Sequence, residues 1–332
     1  MTADRPARRR ITLASALAAL LMTLWQPPAA AQAQDAAQRP LKLVVPFGPG
    51  TTTDIVSRSV GEALAKTLSR AVLVENRAGA GGNIGADAVA KSGTDGGTVL
   101  MGTVGTHAIN AALYRKMPFD AQRDFAPLAF VGYTPTLLVV AAHSPLKSIK
   151  DVVAQSTQPG GLSFASAGNG TSGHLAGELL KSKIGGEMVH VPYKEGGLAL
   201  SDVMSGQVHF MFYHPAAVMA HIQAGKLRAL AASSAKRATA APEVPALAEL
   251  GYADVDLTAW FMLYAPATTP APLLAKLREA AQAAMATPEL IARLAAQGLE
   301  MRTMGTDEMQ RFGRAEAIKW AELVKRSGAQ VD

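Results

Sequence analysis

The 332-residue chain contains no cysteine. That absence excludes a disulfide framework, a thiolate zinc site and a cysteine nucleophile, leaving Ser, Thr, Lys or a carboxylate for any covalent chemistry. Aromatic residues are scarce at 5% and charged residues reach only 17%, yet 49% of positions are apolar. This balance excludes a disordered or fibrous chain and suits a soluble protein of about two domains. Long apolar runs are missing too. The longest, ITLASALAALLMTLW over positions 11–25, is short of the ~20 residues needed to span a bilayer.

That run has a different reading. Arg5, Arg8, Arg9 and Arg10 precede it and PPAAAQA follows it, the order of a secretory signal peptide over residues 1–33 cleaved after Ala33. Either the general or the twin-arginine route is compatible with these residues. Removing the segment takes four Arg and one Asp from 32 basic and 26 acidic residues, leaving 28 and 25 and reducing the formal net charge from +6 to +3. The remaining Lys and Arg are interleaved with acids and form no basic run with stacking aromatics. A nucleic-acid partner is therefore not expected.

The mature part alternates short apolar runs with Gly-rich loops and helical periodicity. LKLVV, AVLVEN and TVLMG read as strands, each followed by a loop and a helix; LSFASA, MVHVPY, QVHFMFY and LRALAAS repeat the rhythm further on. Such alternation predicts parallel, doubly wound α/β sheets, here in two lobes. The chain is expected to cross between them near 140 and near 262, with the C-terminal helices, at about 270–286, 288–297 and 306–327, returning to the first. The lobes then comprise 40–140 plus 263–332, and 141–262. Ligands of such sheets sit beyond the carboxyl ends of the strands. The loops predicted there, PFGPGTTTD, NRAGAGGN, GTVGTH, SAGNGTSGH and PYKEGG, are rich in Gly and hydroxyl groups, which offer N–H and O–H donors without bulk to a small anion. One such loop alone reads as turn chemistry; five at corresponding ends read as a cleft.

Several catalytic patterns fail on their context. Gly168 to Gly173 fits G-x-G-x-x-G between a strand and a helix, but the next strand ends in His190-Val191-Pro192-Tyr193 without the acid that a dinucleotide ribose requires. S-x-x-K occurs at Ser144 and Ser233, and Lys91-Ser92-Gly93 resembles K-[ST]-G. Their order is wrong for a penicillin-recognising hydrolase, and no G-x-S-x-G elbow exists. The seven histidines show no metal-binding pair spacing, so neither a metal nor a cofactor is expected. Trp260 and Phe261 read as core.

Taken in order, PFGPGTTTDIVSR, ENRAGAGGNIGADAVAKS, GTVGTHAINAALY, FASAGNGTSGHLAGELLKS, VPYKEGG and GKLRALA resemble the periplasmic substrate-binding proteins of tripartite tricarboxylate transporters, the Bug or TctC-like family, over about 40–332. The resemblance implies a type II periplasmic-binding-protein fold: two α/β lobes joined by a hinge, closing on a small carboxylate for delivery to membrane permease subunits. A monomer is expected, and a sensor protein is a possible second partner. The implied contacts are Phe47, Pro49, Gly50, Thr51, Thr52, Asp54, Thr103, Thr106 and His107 in the first lobe. In the second they are Ser166, Ala167, Gly168, Asn169, Thr171, His174, Tyr193 and Tyr213. Two positions depart from the family pattern: Thr51 stands where a second Gly is common, and Tyr213-His214 where Asp-Asn is common. Loss of an acid at 213 points to a ligand without an ammonium group, a dicarboxylate or aromatic carboxylate. An exported enzyme would need a titratable group in the cleft, for which only Asp54, His107 and His174 qualify; a binder needs none.

Overall fold

The computed structural model describes residues 39–253 and 255–331; the expected signal peptide lies outside the described residues. The first lobe is built on a sheet of order β2-β1-β3-β10-β4 and the second on one of order β7-β6-β8-β5-β9. In the first, β1 (Leu41–Val45) pairs in parallel with β2 (Val72–Asn76) and β3 (Thr98–Thr103), while β10 (Thr258–Pro266) runs antiparallel to β3 and to β4 (Phe125–Pro135). In the second, β6 (Leu162–Ser166) is parallel to β7 (Met188–Pro192) and β8 (Phe210–Tyr213), while β5 (Leu137–Ala141) is antiparallel to β8 and to β9 (Leu227–Ala232). The expectation of purely parallel sheets is therefore corrected. Each sheet contains an antiparallel strand that adjoins a lobe crossing, β10 or β5, and such a strand runs against the local βαβ units.

The chain leaves the first sheet at Pro135 and enters the second at Leu137; it leaves the second after Ala232 and re-enters the first at Thr258. The first sheet change thus falls at 136 and the second spans 233–257. The two crossings are fastened together. Thr136 donates N–H and Oγ1–H to Ser233 Oγ at 3.0 and 2.7 Å, Ser233 N–H donates to Thr136 O at 2.8 Å, and Ser233 Oγ–H donates to Leu257 O at 2.9 Å. The serine of the second S-x-x-K pattern is thus a buried tie between the crossings.

Three apolar clusters hold the molecule. Val56, Val60 and Leu64 of α1 (Thr52–Leu68) pack on Leu41, Leu43, Val99 and Met101, together with Leu277 of α8 (Ala271–Met285) and Leu294 of α9 (Pro288–Ala296). A second cluster joins Leu137, Val139 and Met211 to Leu200 and Val203 of α6 (Gly196–Ser205) and Val218 of α7 (Pro215–Gln223). The largest takes side chains from both sheets, among them Leu100, Ile109, Leu138, Phe164 and Phe210, and closes on Trp320, Leu323 and Val324 of α10 (Thr306–Ser327). That helix packs on β4 and the 105–113 segment of the first lobe and also touches α5 (Ser172–Ile184) of the second. Glu316 Oε2 accepts from the indoles of Trp260 (2.8 Å) and Trp320 (2.7 Å), fixing α10 to β10. Among the described residues no helix is long and apolar enough to cross a membrane.

Candidate functional site

The loops after β1, β3 and β6 face one another across a cleft. Phe47, Thr51, Thr52, Thr53, Thr103, Val104 and Gly105 line it from the first lobe. Ala167, Thr171, Ser172, Gly173, Phe212, Tyr213 and His214 line it from the second, with Ala259, Trp260 and Phe261 between. None of these side chains is Lys, Arg, Asp or Glu.

Two helices begin in this cleft with the same local design. Thr51 caps α1: its Oγ1 donates to Gly48 O at 2.8 Å and accepts from Asp54 N–H at 3.3 Å. Thr171 caps α5: its Oγ1 donates to Gly168 O at 2.8 Å and accepts from His174 N–H at 3.3 Å. The Pro/Gly-rich segments ahead stop the strands, and Ser/Thr then starts the helices. Thr52 and Thr53, like Ser172 and Gly173, contribute first-turn N–H groups that have no intrahelical acceptor, and the positive ends of both helix dipoles meet at the same space. Backbone donors without a side-chain cation suit a small anion.

Most of the expected hydroxyl donors are engaged elsewhere. Thr106 Oγ1 accepts from Thr103 N–H at 3.0 Å and lies 2.8 Å from His107 Nδ1, while Ser166 Oγ accepts from Gly168 N–H at 3.1 Å. These bonds shape the loops. Two cleft-lining hydroxyls, Thr52 Oγ1 and Tyr213 Oη, are buried without a partner; burial raises the Tyr213 pKa, keeping the phenol protonated.

Asp54, His107 and His174 sit behind the cleft wall. Asp54 accepts from Arg58 Nε (3.1 Å), Gly50 N–H (3.0 Å) and Asn76 Nδ2 (2.9 Å), and Arg58 Nη2 lies 2.9 Å from its second oxygen. Burial alone would raise its pKa, but the hydrogen bonds from Arg58, Gly50 and Asn76 and the Arg58 charge outweigh it and lower the value. The buried His107 ring stacks on Tyr264 at 4.0 Å, and desolvation depresses its pKa to about 3. His174 Nδ1 accepts from Gly170 N–H at 3.2 Å and its ring stacks on His190 at 4.1 Å; burial lowers its pKa to about 4. Pro49 and Gly50 are exposed at the turn. Gly168, Asn169 and Tyr193 line an adjoining cavity with Phe47 and Ala167, where Tyr193 Oη donates to Asp202.

The lobes touch beside the cleft: Tyr114 Oη donates to Asn169 O at 3.3 Å, and a Cβ on Gly105 would stand 2.8 Å from Gly170 O. Among the described residues one group brings metal-ligating atoms together: His174, Glu178 and His190, within 4.8 Å of one another. An i, i+4 pair on α5 meets a histidine of β7 there, a pairing across elements that sequence spacing did not reveal. Ser172, Gly173 and His214 were also missed as cleft residues; the departure at Tyr213-His214 was the available signal for the last.

A family model described as tripartite tricarboxylate transporter family receptor, TctC, matches residues 56–329. The chain belongs to this family. Protein BugT of Bordetella pertussis is 35% identical over 88% of this chain and 90% of its own. Among solved structures, the periplasmic binding protein BugD superposes with a TM-score of 0.83 at 32% identity, covering 88% of this chain and 98% of that one. A Rhodopseudomonas palustris protein with adipate superposes at 0.83 with 33% identity (88% and 99%), and MatC from the same organism with bound malate at 0.80 with 30% identity (86% and 99%). The chain thus has the two-lobed periplasmic-binding-protein fold, and its family consists of solute-binding receptors.

Proposed function

We propose that the protein captures a small carboxylate lacking an ammonium group, a di- or tricarboxylate or an aromatic carboxylate, and delivers it by lobe closure to the permease subunits of a tripartite tricarboxylate transporter. The observation that carries this reading is the meeting of two Thr-capped helix N-termini in one cleft without charged side chains. The relatives with adipate and with malate support the carboxylate class.

In this reading the ligand carboxylates dock on the N–H groups of Thr52 and Thr53 and of Ser172 and Gly173, with Thr52 Oγ1 and Tyr213 Oη as further partners. Phe47 and Phe261 supply apolar walls. Export through residues 1–33, and lobes parting at Thr136 and Ser233, belong to the same proposal. Asp54 has its hydrogen-bonding capacity engaged by Arg58, Gly50 and Asn76, so it is poorly placed to neutralise a ligand ammonium, whose desolvation would go uncompensated. Closure removes water and strengthens the bonds to fixed dipoles.

A thermal-shift panel of mono-, di- and tricarboxylates tests this on the mature chain. A ligand at 100 times its Kd should add about 2.7 kcal/mol of stability. No shift across the panel, or tight binding of aspartate or glutamate, would overturn it.

A further inference from the structure

Ser172 and His214, both lining the cleft, form a hydrogen-bond chain whose polarity is fixed at its far end. His214 Nδ1 lies 3.1 Å from Pro135 O. A carbonyl can only accept, so Nδ1 carries the proton. Desolvation pulls the imidazole pKa down to about 4, partly opposed by that Pro135 bond, so the ring is neutral near pH 7 and Nε2 presents a lone pair. Ser172 Oγ lies 3.1 Å from Nε2 and must give its single proton to it. The serine hydroxyl therefore offers lone pairs to a ligand, while its backbone N–H, in the first turn of α5, remains a donor.

One residue thus pairs a donor with an acceptor. A carboxylate oxygen suits the N–H and is repelled by the Oγ lone pairs; a hydroxyl on the adjacent carbon suits Oγ. We infer that this second-lobe subsite selects a 2-hydroxycarboxylate, with Ser172 accepting from the ligand hydroxyl and His214 acting as the positioning residue that sets the direction of the serine proton. A 2-amino group would also donate, but no carboxylate lines the cleft to balance its charge. The inference rests on the carboxylate reading of the cleft and sharpens it.

Calorimetry with matched pairs separates the two: malate against succinate, 2-hydroxyglutarate against glutarate, 2-hydroxyadipate against adipate, and mandelate against phenylacetate. In the best-binding pair the 2-hydroxy acid should bind about tenfold more tightly than its deoxy twin, the effect of one hydrogen bond to an otherwise unpaired buried acceptor. Ser172→Ala should bring the twins within about twofold. His214→Gln, which keeps a donor at one end and an acceptor at the other, should retain the preference, whereas His214→Leu should abolish it by releasing the serine proton to the ligand. Thermal unfolding of each variant confirms that it is folded. Equal binding of the twins by the unaltered protein overturns the inference and leaves the carboxylate reading standing. A preference that survives His214→Leu overturns the role of His214, and no binding by any pair overturns the carboxylate reading itself.

Discussion

Asp54 shows how a polar residue in a cleft loop can be engaged by the protein itself. Its carboxylate ties the Gly50 turn to Arg58 and Asn76, so the Gly50 N–H is already engaged. Asp54→Asn keeps the shape but weakens the bond to the Arg58 fork, and should cost about 1–3 kcal/mol in urea unfolding at pH 7; an unchanged midpoint would show the network to be idle. Its contribution has a definite sign. A lowered folded pKa stabilises above the unfolded value of about 3.9 and is lost as pH falls through the folded one. The buried histidines act in a higher window. Unfolded imidazoles protonate near 6.5, whereas folded His107 resists protonation to about 3 and His214 to about 4. Stability is therefore full above about pH 6.5 and lost as pH falls toward 4, by up to about 1.4 kcal/mol per pH unit for each such group. Urea midpoints at pH 7, 6 and 5 should decline, and His107→Gln should flatten the decline; parallel curves would refute the assignment. Sequence placed these residue types near the cleft. Which way each one points depends on neighbours such as Asn76, Tyr264 and His190, distant in the chain.

Helix starts are the part of the site most legible at the level of elements, because a cap depends on residues only three apart. Thr51 and Thr171 each follow a Gly-containing turn and open a periodic helix, and both cap as local chemistry dictates. Thr171→Ala should cost about 1 kcal/mol of stability and weaken ligand binding, since His174 N–H loses its acceptor and the first turn of α5 loosens; calorimetry that finds wild-type affinity would argue against α5 as a ligand-gripping element. The approach of α5 to β8 was not legible. A Cβ on Gly173 would lie 2.3 Å from Phe212 O, so Gly173→Ala should push the helix start off the strand, lower the melting temperature and weaken binding more than Thr171→Ala does. The loop read in sequence as ending at His107 likewise folds, from Gly105 to Ile109, as a wide helical turn running into Asn110–Leu113, a hydrogen-bond pattern that no residue periodicity announces.

Across the whole molecule, motion between the lobes is constrained by the tie at Thr136 and Ser233 and by α10, which contributes Trp320 to a core fed by both sheets. Ser233→Ala removes the hydroxyl that accepts two bonds from Thr136 and donates to Leu257 O. It should cost about 1–3 kcal/mol in thermal unfolding and broaden the ligand-free distribution of radius of gyration in small-angle scattering; an unaltered profile and melting point would show that the crossings need no tie. The sequence by itself determined the alternation of strands and helices, the number of lobes, the Gly- and Thr-rich loops at strand ends and the family, because these follow from periodicity, turn chemistry and ordered motifs that act over a few residues. Only the tertiary structure decided the antiparallel strands next to the crossings, the bond from Ser172 to His214, and which hydroxyls remain unpaired. Those outcomes depend on partners far apart in the chain meeting in one buried place, where most polar groups find an acceptor or donor and a few, Thr52 Oγ1 and Tyr213 Oη among them, do not.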